Sequence, residues 1–173
     1  MSRYIKNDKL EEIKNRIVLP IIKGMKKMDI AYTGLLYPGI MITDAGEKVL
    51  EFNSRFGDPE IQVYMRILKT DLFDILIACC TGTLSEINIE WEEKYACCII
   101  LASEGYPGNY KKGILIEGLE NANQKKDIII FHAGTKNIDG KIYTNGGRVL
   151  GVTAIGKTLE DALNKAYAVI GKD

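Results

Sequence analysis

Residues 51–60 read Glu51-Phe52-Asn53-Ser54-Arg55-Phe56-Gly57-Asp58-Pro59-Glu60, directly after Lys48-Val49-Leu50. The preceding run reads as the inner part of a strand. Side chains on a strand alternate between faces, so Glu51, Asn53 and Arg55 are expected to point one way and Phe52 into the core behind them. A carboxylate, an amide oxygen and a fixed positive charge on one face suit a magnesium-bound polyphosphate. Mg²⁺ takes one or two protein oxygens and leaves its other positions to water and phosphate. The plainer alternative is a solvated strand face, and Glu-x-Asn spacing alone favours it. Arg55 suits a forked clamp on a carboxylate or phosphate, or else a surface ion pair with Asp58 or Glu60. Asp58 before Pro59 reads as a helix start, with Asp as N-cap and Pro at the first helical position. That role explains Asp58 without any chemistry, and the helix dipole explains Glu60.

Upstream, Leu10, Ile13, Ile17, Ile21, Gly24 and Met28 recur at helical spacing, with a kink or break expected at Pro20. Residues 30–53 then read as a β-hairpin. Its first strand is rich in β-formers from Tyr32 to Ile42, interrupted at Pro38 by an edge or bulge. The turn lies at Thr43–Glu47 and the return strand is Val49–Asn53. Downstream, one helix passes through Ile61, Met65 and Leu68. Another covers Asp71–Cys80, with Leu72, Ile75, Leu76 and Cys79 inside and Gly82 as the stop. An acidic, irregular stretch at Thr83–Glu93 suggests a boundary, giving domains 1–83 and 84–173. The second half reads as mainly β: strands at Tyr95–Ala102, Ile128–His132, Ile142–Tyr143 and Arg148–Ile155. A capping box, Thr158 with Asp161, then opens an amphipathic closing helix. The fold class is α+β.

The formal net charge of +0 gives no electrostatic pull toward nucleic acid or anionic membrane. The polar, charged start does not read as a signal peptide, and no apolar run is long enough to span a bilayer. The four cysteines form two adjacent pairs, Cys79-Cys80 and Cys97-Cys98, without zinc or redox spacing. Free thiols suit a reducing cytoplasm. No Ser-His-Asp or Cys-His arrangement, phosphate loop or dinucleotide fingerprint is present. Asn145-Gly146-Gly147-Arg148 offers glycine amides that would cradle an anion beside an arginine, or a hairpin turn, which Asn-Gly favours. His132, the single histidine, lacks partners for a zinc site; a structural or substrate-facing role fits it better than that of a general base.

Five segments together resemble phosphoribosylamine–glycine ligase (glycinamide ribonucleotide synthetase), an ATP-grasp family. They are Tyr32 to Gly39, Glu51 to Glu60, Gly105-Tyr106-Pro107-Gly108, His132-Ala133-Gly134-Thr135 and Thr144 to Leu150. They occur in the family's order and span nearly the whole chain. The resemblance implies the carboxy-terminal part of an ATP-grasp domain followed by a small β-rich domain with a closing helix. It implies ATP-driven joining of glycine to 5-phosphoribosylamine through a glycyl phosphate, in cytoplasmic purine biosynthesis. By motif, Glu51 and Asn53 are implied to be Mg²⁺ or Mn²⁺ ligands bridging the ATP phosphates. Arg55 is implied as a phosphate or carboxylate clamp and Asp58 as a holder of the substrate amine. His132, Asn145, Gly146, Gly147 and Arg148 are implied to line the substrate cleft. Family enzymes begin with a glycine-rich domain and nucleotide-holding lobes absent from this sequence. The expected partner is therefore that missing amino-terminal ligase portion, and the chain alone is expected to be inactive. The alternatives are a non-catalytic folded fragment or interaction module, or one half of a split ATP-grasp ligase. An adjacent coding frame with a glycine-rich nucleotide domain would favour the split enzyme.

Overall fold

A computed structural model describes residues 5–171. The chain forms two compact units. The first comprises the residues up to Gly57 together with Phe73–Ile87, the second Asp58–Leu72 together with the residues from Asn88 on. Residues 58–72, grouped with 1–83 in the sequence reading, thus cluster with the second unit.

The first unit opens with helix α1 (Asn7–Ile13), a π-helical stretch (Lys14–Val18) and helix α2 (Leu19–Lys27). Pro20 lacks an N–H, and its ring collides with the carbonyl four residues back. The widened turn just before it takes up that conflict: Leu19 N–H donates to Lys14 O, five residues back. Ile13, Val18 and Leu19 keep right-handed helical torsions, so the helix is widened at this point and not broken.

Strand β1 (Tyr37–Thr43) pairs antiparallel with β2 (Gly46–Asn53) in a two-stranded sheet. The strand expected from Tyr32 begins only at Tyr37. Gly34 takes a left-handed φ of 136°, and the Tyr32 hydroxyl donates to the Leu35 carbonyl at 2.5 Å, folding that segment on itself. A bulge follows Gly39: Gly39 pairs with Glu51 and Ile40 with Val49, leaving Leu50 as the extra residue. Thr43 closes the turn, its hydroxyl donating to Gly46 O and accepting from Ala45 N–H. The turn also anchors α1, because the covered Glu47 side chain is bonded by Lys9 and by Arg16. The Lys9 hydrogen bond holds the Glu47 carboxyl below the usual range. Phe52, expected in a core, is 41% exposed, and Val49 and Leu50 are exposed too, because the two-stranded sheet buries neither face fully. Helix α4 (Leu72–Thr81) ends at Gly82, whose φ of 77° stops it as expected. It buries Ala78, and Leu76 is exposed against expectation.

The second unit holds helix α3 (Glu60–Ile67) and a three-stranded antiparallel sheet. The sheet comprises β3 (Tyr95–Ala102), β4 (Ile128–His132) and β7 (Arg148–Gly156), in the order β3-β7-β4. The central strand β7 is buried almost throughout, and the Thr153 hydroxyl is satisfied by Ile129 O at 2.7 Å. Helix α6 (Leu159–Tyr167) lays Ala162 and Ala166 on Cys97, Ile128, Val152 and Ala154. Ile99, Leu101, Leu159, Leu163 and Ile170 surround that core. Small residues let helix and sheet approach closely: a Cβ on Gly156 would stand 2.5 Å from Ala162 N. Thr158 caps the helix as expected, its Oγ1 accepting from Asp161 N–H, while the Asp161 carboxylate reaches one residue past the cap and accepts from Lys157 N–H. Helix α5 (Leu119–Asn123) and strand β5 (Thr135–Ile138) carry no expectation from sequence. Strand β5 pairs with β6 (Lys141–Thr144) across Asp139-Gly140, both with positive φ, the geometry of a type I′ hairpin.

Candidate functional site

In the first unit, β2 presents Glu51 and Asn53 on one face, and Asn53 Nδ2 donates to Glu51 Oε1 at 2.9 Å. Gly39 lies opposite; a Cβ there would stand 3.0 Å from Glu51 Cγ, so the glycine leaves room for the Glu51 side chain across the neighbouring strand. Among the described residues no group of three His, Cys, Asp or Glu is placed to hold a metal. A carboxylate beside an amide oxygen still fits a hard cation that takes most of its ligands from phosphate and water. Arg55 lies beyond the end of β2, and its Nη1 donates to Phe56 O at 2.8 Å. It does not form the ion pair with Asp58 or Glu60 that sequence allowed.

In the second unit, Asp58 is not the N-cap of α3. The Asp58–Pro59 peptide is cis and the cap position is Pro59, with no side-chain cap. The Asp58 carboxylate turns instead to Arg148, whose Nη2 donates to Oδ2 at 2.8 Å while Nη1 donates to the Asp58 carbonyl at 3.1 Å. The other carboxylate oxygen accepts from Gln62 Nε2 at 3.2 Å.

Residues 145–147 are not the turn of a hairpin: they lead from β6 into β7, which belong to different sheets. Their glycines are required by close packing. A Cβ on Gly134 would stand 2.6 Å from Gly146 Cα, and one on Gly147 would stand 2.1 Å from the Tyr106 ring. Ala133 and Gly134 N–H donate to Val149 and Arg148 O, and Asn145 N–H donates to Gly134 O. This ladder brings the His132 segment beside Asn145–Arg148. His132 Nδ1 lies 3.0 Å from Thr135 Oγ1. Ser103 grips the loop from below, its hydroxyl donating to Gly146 O and its N–H to Gly147 O. The peptide is planar and trans, so the Gly147 N–H points away from Ser103. Ser103, Gln62 and the packing role of Tyr106 were invisible in sequence, because each is defined by a contact with a distant segment.

Cys98 lies on β3, near the Asp58 carboxylate. Burial first, then Cys97 and Asp58, push its thiol up to about 11, so it is no nucleophile. All four cysteines are free thiols. Among the described residues no helix is long and apolar enough to cross a membrane.

A hairpin carrying Glu51 and Asn53 lies within a segment that matches an ATP-grasp domain, which sets the class of the chain as that of the ATP-grasp enzymes. Residues 2–61 match the phosphoribosylglycinamide synthetase ATP-grasp (A) domain, and residues 96–173 match the C domain of the same enzyme. The chain belongs to the phosphoribosylglycinamide synthetase family. It is 48% identical over 169 residues to the phosphoribosylamine–glycine ligase of Caldanaerobacter subterraneus subsp. tengcongensis, covering 98% of this chain and 40% of that protein. It is 47% identical over 163 residues to the trifunctional purine biosynthetic protein adenosine-3 of Gallus gallus, covering 94% of this chain and 16% of that one. The crystal structure of phosphoribosylamine–glycine ligase from Thermotoga maritima superposes with a TM-score of 0.74 at 32% identity. That match covers 94% of this chain and 38% of the Thermotoga chain, so the chain spans about two fifths of the ligases it matches.

Proposed function

We propose that this chain supplies part of the active site of a phosphoribosylamine–glycine ligase. In that reaction the glycine carboxylate attacks the γ-phosphorus of ATP and ADP leaves. The amine of 5-phosphoribosylamine then attacks the glycyl carbonyl, forms the amide, loses a proton and expels phosphate. The observation that carries the reading is the Glu51–Asn53 pair on β2, within the segment matching the ATP-grasp domain.

Glu51 and Asn53 would hold Mg²⁺ or Mn²⁺, which when bound neutralises phosphate charge. Arg55 keeps donors beyond the one spent on Phe56 O, enough for a phosphate or the glycine carboxylate. Asp58 accepts from the substrate amine and orients it. His132, Asn145, Gly146 and Gly147 line the substrate side of the second unit, where the Gly147 N–H suits an anionic group. Arg148, engaged at two points with Asp58, orients that carboxylate and is not a free clamp. Catalysis of this kind is mostly positioning and charge stabilisation. The domains would be 1–83 and 84–173, in keeping with matched segments that fall on either side of that boundary. The remaining nucleotide contacts would come from the portion of the ligase that this chain does not match. The reaction belongs to the cytoplasm.

The test is calorimetric titration with a non-hydrolysable ATP analogue, with and without Mg²⁺. Metal-dependent binding is expected, weakened at least about tenfold in Glu51→Ala and Asn53→Ala. Equal affinity in wild type and both variants overturns the metal assignment. The reaction itself is checked by ADP formation that requires both glycine and phosphoribosylamine, from the chain combined with the portion it does not match. The chain by itself is expected to show none.

A further inference from the structure

Asp58 is held from two sides. Arg148 bonds Oδ2 and the main-chain carbonyl, and Gln62 Nε2 bonds Oδ1. A carboxylate only accepts, so the Gln62 amide must show its NH₂ to Asp58 and turn Oε1 the other way. That Oε1 is shut off from solvent without a partner among the described residues, and so is Arg66 Nε. The two atoms are an acceptor and a donor, carried one turn apart on the same face of α3. Arg66 is anchored at its far end, Nη2 donating to Asp127 O at 3.3 Å. The Gln62 NH₂ matches the Asp58 carboxylate. A glutamate there would repel Asp58, and an apolar residue would leave Oδ1 without this donor. Buried polar atoms without partners weaken packing, and Gln62 keeps its amide turned to Asp58 at that cost.

We propose that Gln62 is a positioning residue for the ligase reaction: it fixes the direction of the Asp58 carboxylate that receives the substrate amine, with Arg148 gripping the opposite oxygen. The inference rests on the ligase reading above. With both oxygens held, the remaining lone pairs have set directions, and an amine bonded to them is aligned before it attacks. Gln62 acts through Asp58 and touches no substrate.

The test is steady-state kinetics of Gln62→Met, which keeps the length of the side chain and removes both amide atoms, in the reconstituted ligase. KM for phosphoribosylamine is expected to rise about tenfold, the effect of one lost hydrogen bond to a charged group, with KM for ATP and glycine within about twofold. Combination with Arg148→Lys is expected to be non-additive, because both residues hold one carboxylate. Should the single variant fail to fold, Gln62→Met/Arg66→Met removes both buried polar atoms and is read the same way. An unchanged KM for the amine, or an equal loss for all three substrates, overturns the inference. Side-chain ¹⁵N resonances give a readout independent of turnover. The Gln62 amide is expected to shift in Asp58→Asn and the Arg148 guanidinium to shift in Gln62→Met. Lack of ligation by wild type overturns the ligase reading alone. The linkage is then decided by those resonances, where a shift supports it and unchanged spectra overturn it.

Discussion

Arg148 and Asp58 stand 90 residues apart in the chain, and Arg148 holds both the side chain and the backbone of Asp58, at 2.8 and 3.1 Å. The contact ties the first residue of β7 to the segment that leads into α3. A planar fork can bridge a carboxylate and a neighbouring carbonyl; a lysine ammonium offers no such geometry.

Both partners are close to half exposed, so the pair is screened by water. Arg148→Lys is expected to cost only about 0.2–1 kcal/mol of stability, while affinity for the amine substrate falls several-fold. Thermal denaturation alongside substrate titration separates the two; a collapse of Tm with unchanged affinity would assign the pair to stability.

Gly134 and Gly146 are packed backbone to backbone, and backbone yields less readily than a side chain. Gly134→Ala is expected to destabilise by about 1–3 kcal/mol. In Gly147→Ala the nearest atoms belong to the Tyr106 ring, a side chain and not backbone, so it is expected to cost less and to alter the tyrosine environment, where Tyr106 packs edge-on against Tyr110. Urea denaturation and near-ultraviolet circular dichroism report the two effects.

Thr158 caps α6 through the Asp161 N–H at 3.0 Å. Thr158→Ala is expected to cost about 1 kcal/mol and Thr158→Ser to restore most of it. Because α6 covers the core of the second unit, the loss is expected in global unfolding and not only in fraying of the helix end.

With a thiol pKa of about 11, Cys98 is roughly one part in a thousand thiolate at pH 8. Cys97 is also raised, chiefly by burial. Titration of the folded protein with a disulfide reagent is expected to modify the exposed Cys80 first, with Cys97 and Cys98 reacting only after denaturant is added. Rapid labelling of Cys98 in the native state would contradict the packing of β3.

Lys165 bonds Asp127, Asp161 and the Ile155 carbonyl. The hydrogen bond from Lys165 lowers the Asp127 carboxyl, and that from Lys157 N–H is the first cause lowering Asp161. The Asp127 hydrogen bond is in turn the first cause raising Lys165. Carboxylates with lowered values contribute stability above their unfolded value of about 4, and lose it as pH falls through the folded one. The raised lysine contributes below about pH 10.4 and loses its share as pH rises through its folded value. Lys165→Met is therefore expected to lower stability most between about pH 4 and 10.4, where both charges are present, and so to flatten the acid and the alkaline limbs of the profile. Chemical denaturation across pH checks this.

Most of the regular structure was legible from local pattern. Strands β3 and β4 and the start of β7 follow from apolar runs, α6 from its capping box, and the end of α4 from Gly82. Errors arose where a local signal had two uses. Asn145-Gly146 reads as a hairpin turn and closes none, because β6 finds its partner in β5, across a turn that carried no expectation, while β7 pairs with β3 and β4. Tyr32 to Leu36 has the composition of a strand, and a tyrosine–carbonyl hydrogen bond within the segment outweighs it.

The sequence by itself determined the α+β class, the hairpin carrying Glu51 and Asn53, and the resemblance of five motifs to one ligase family, since each depends on residues close together in the chain. Only the tertiary structure decided what Asp58, Gln62, Ser103 and Arg148 do. Asp58 has the local credentials of a helix cap, and nothing near it in sequence announces an arginine 90 residues on. A polar side chain takes the best partner that folding brings within about 3 Å, and that choice is made by strand order and not by neighbours in the chain.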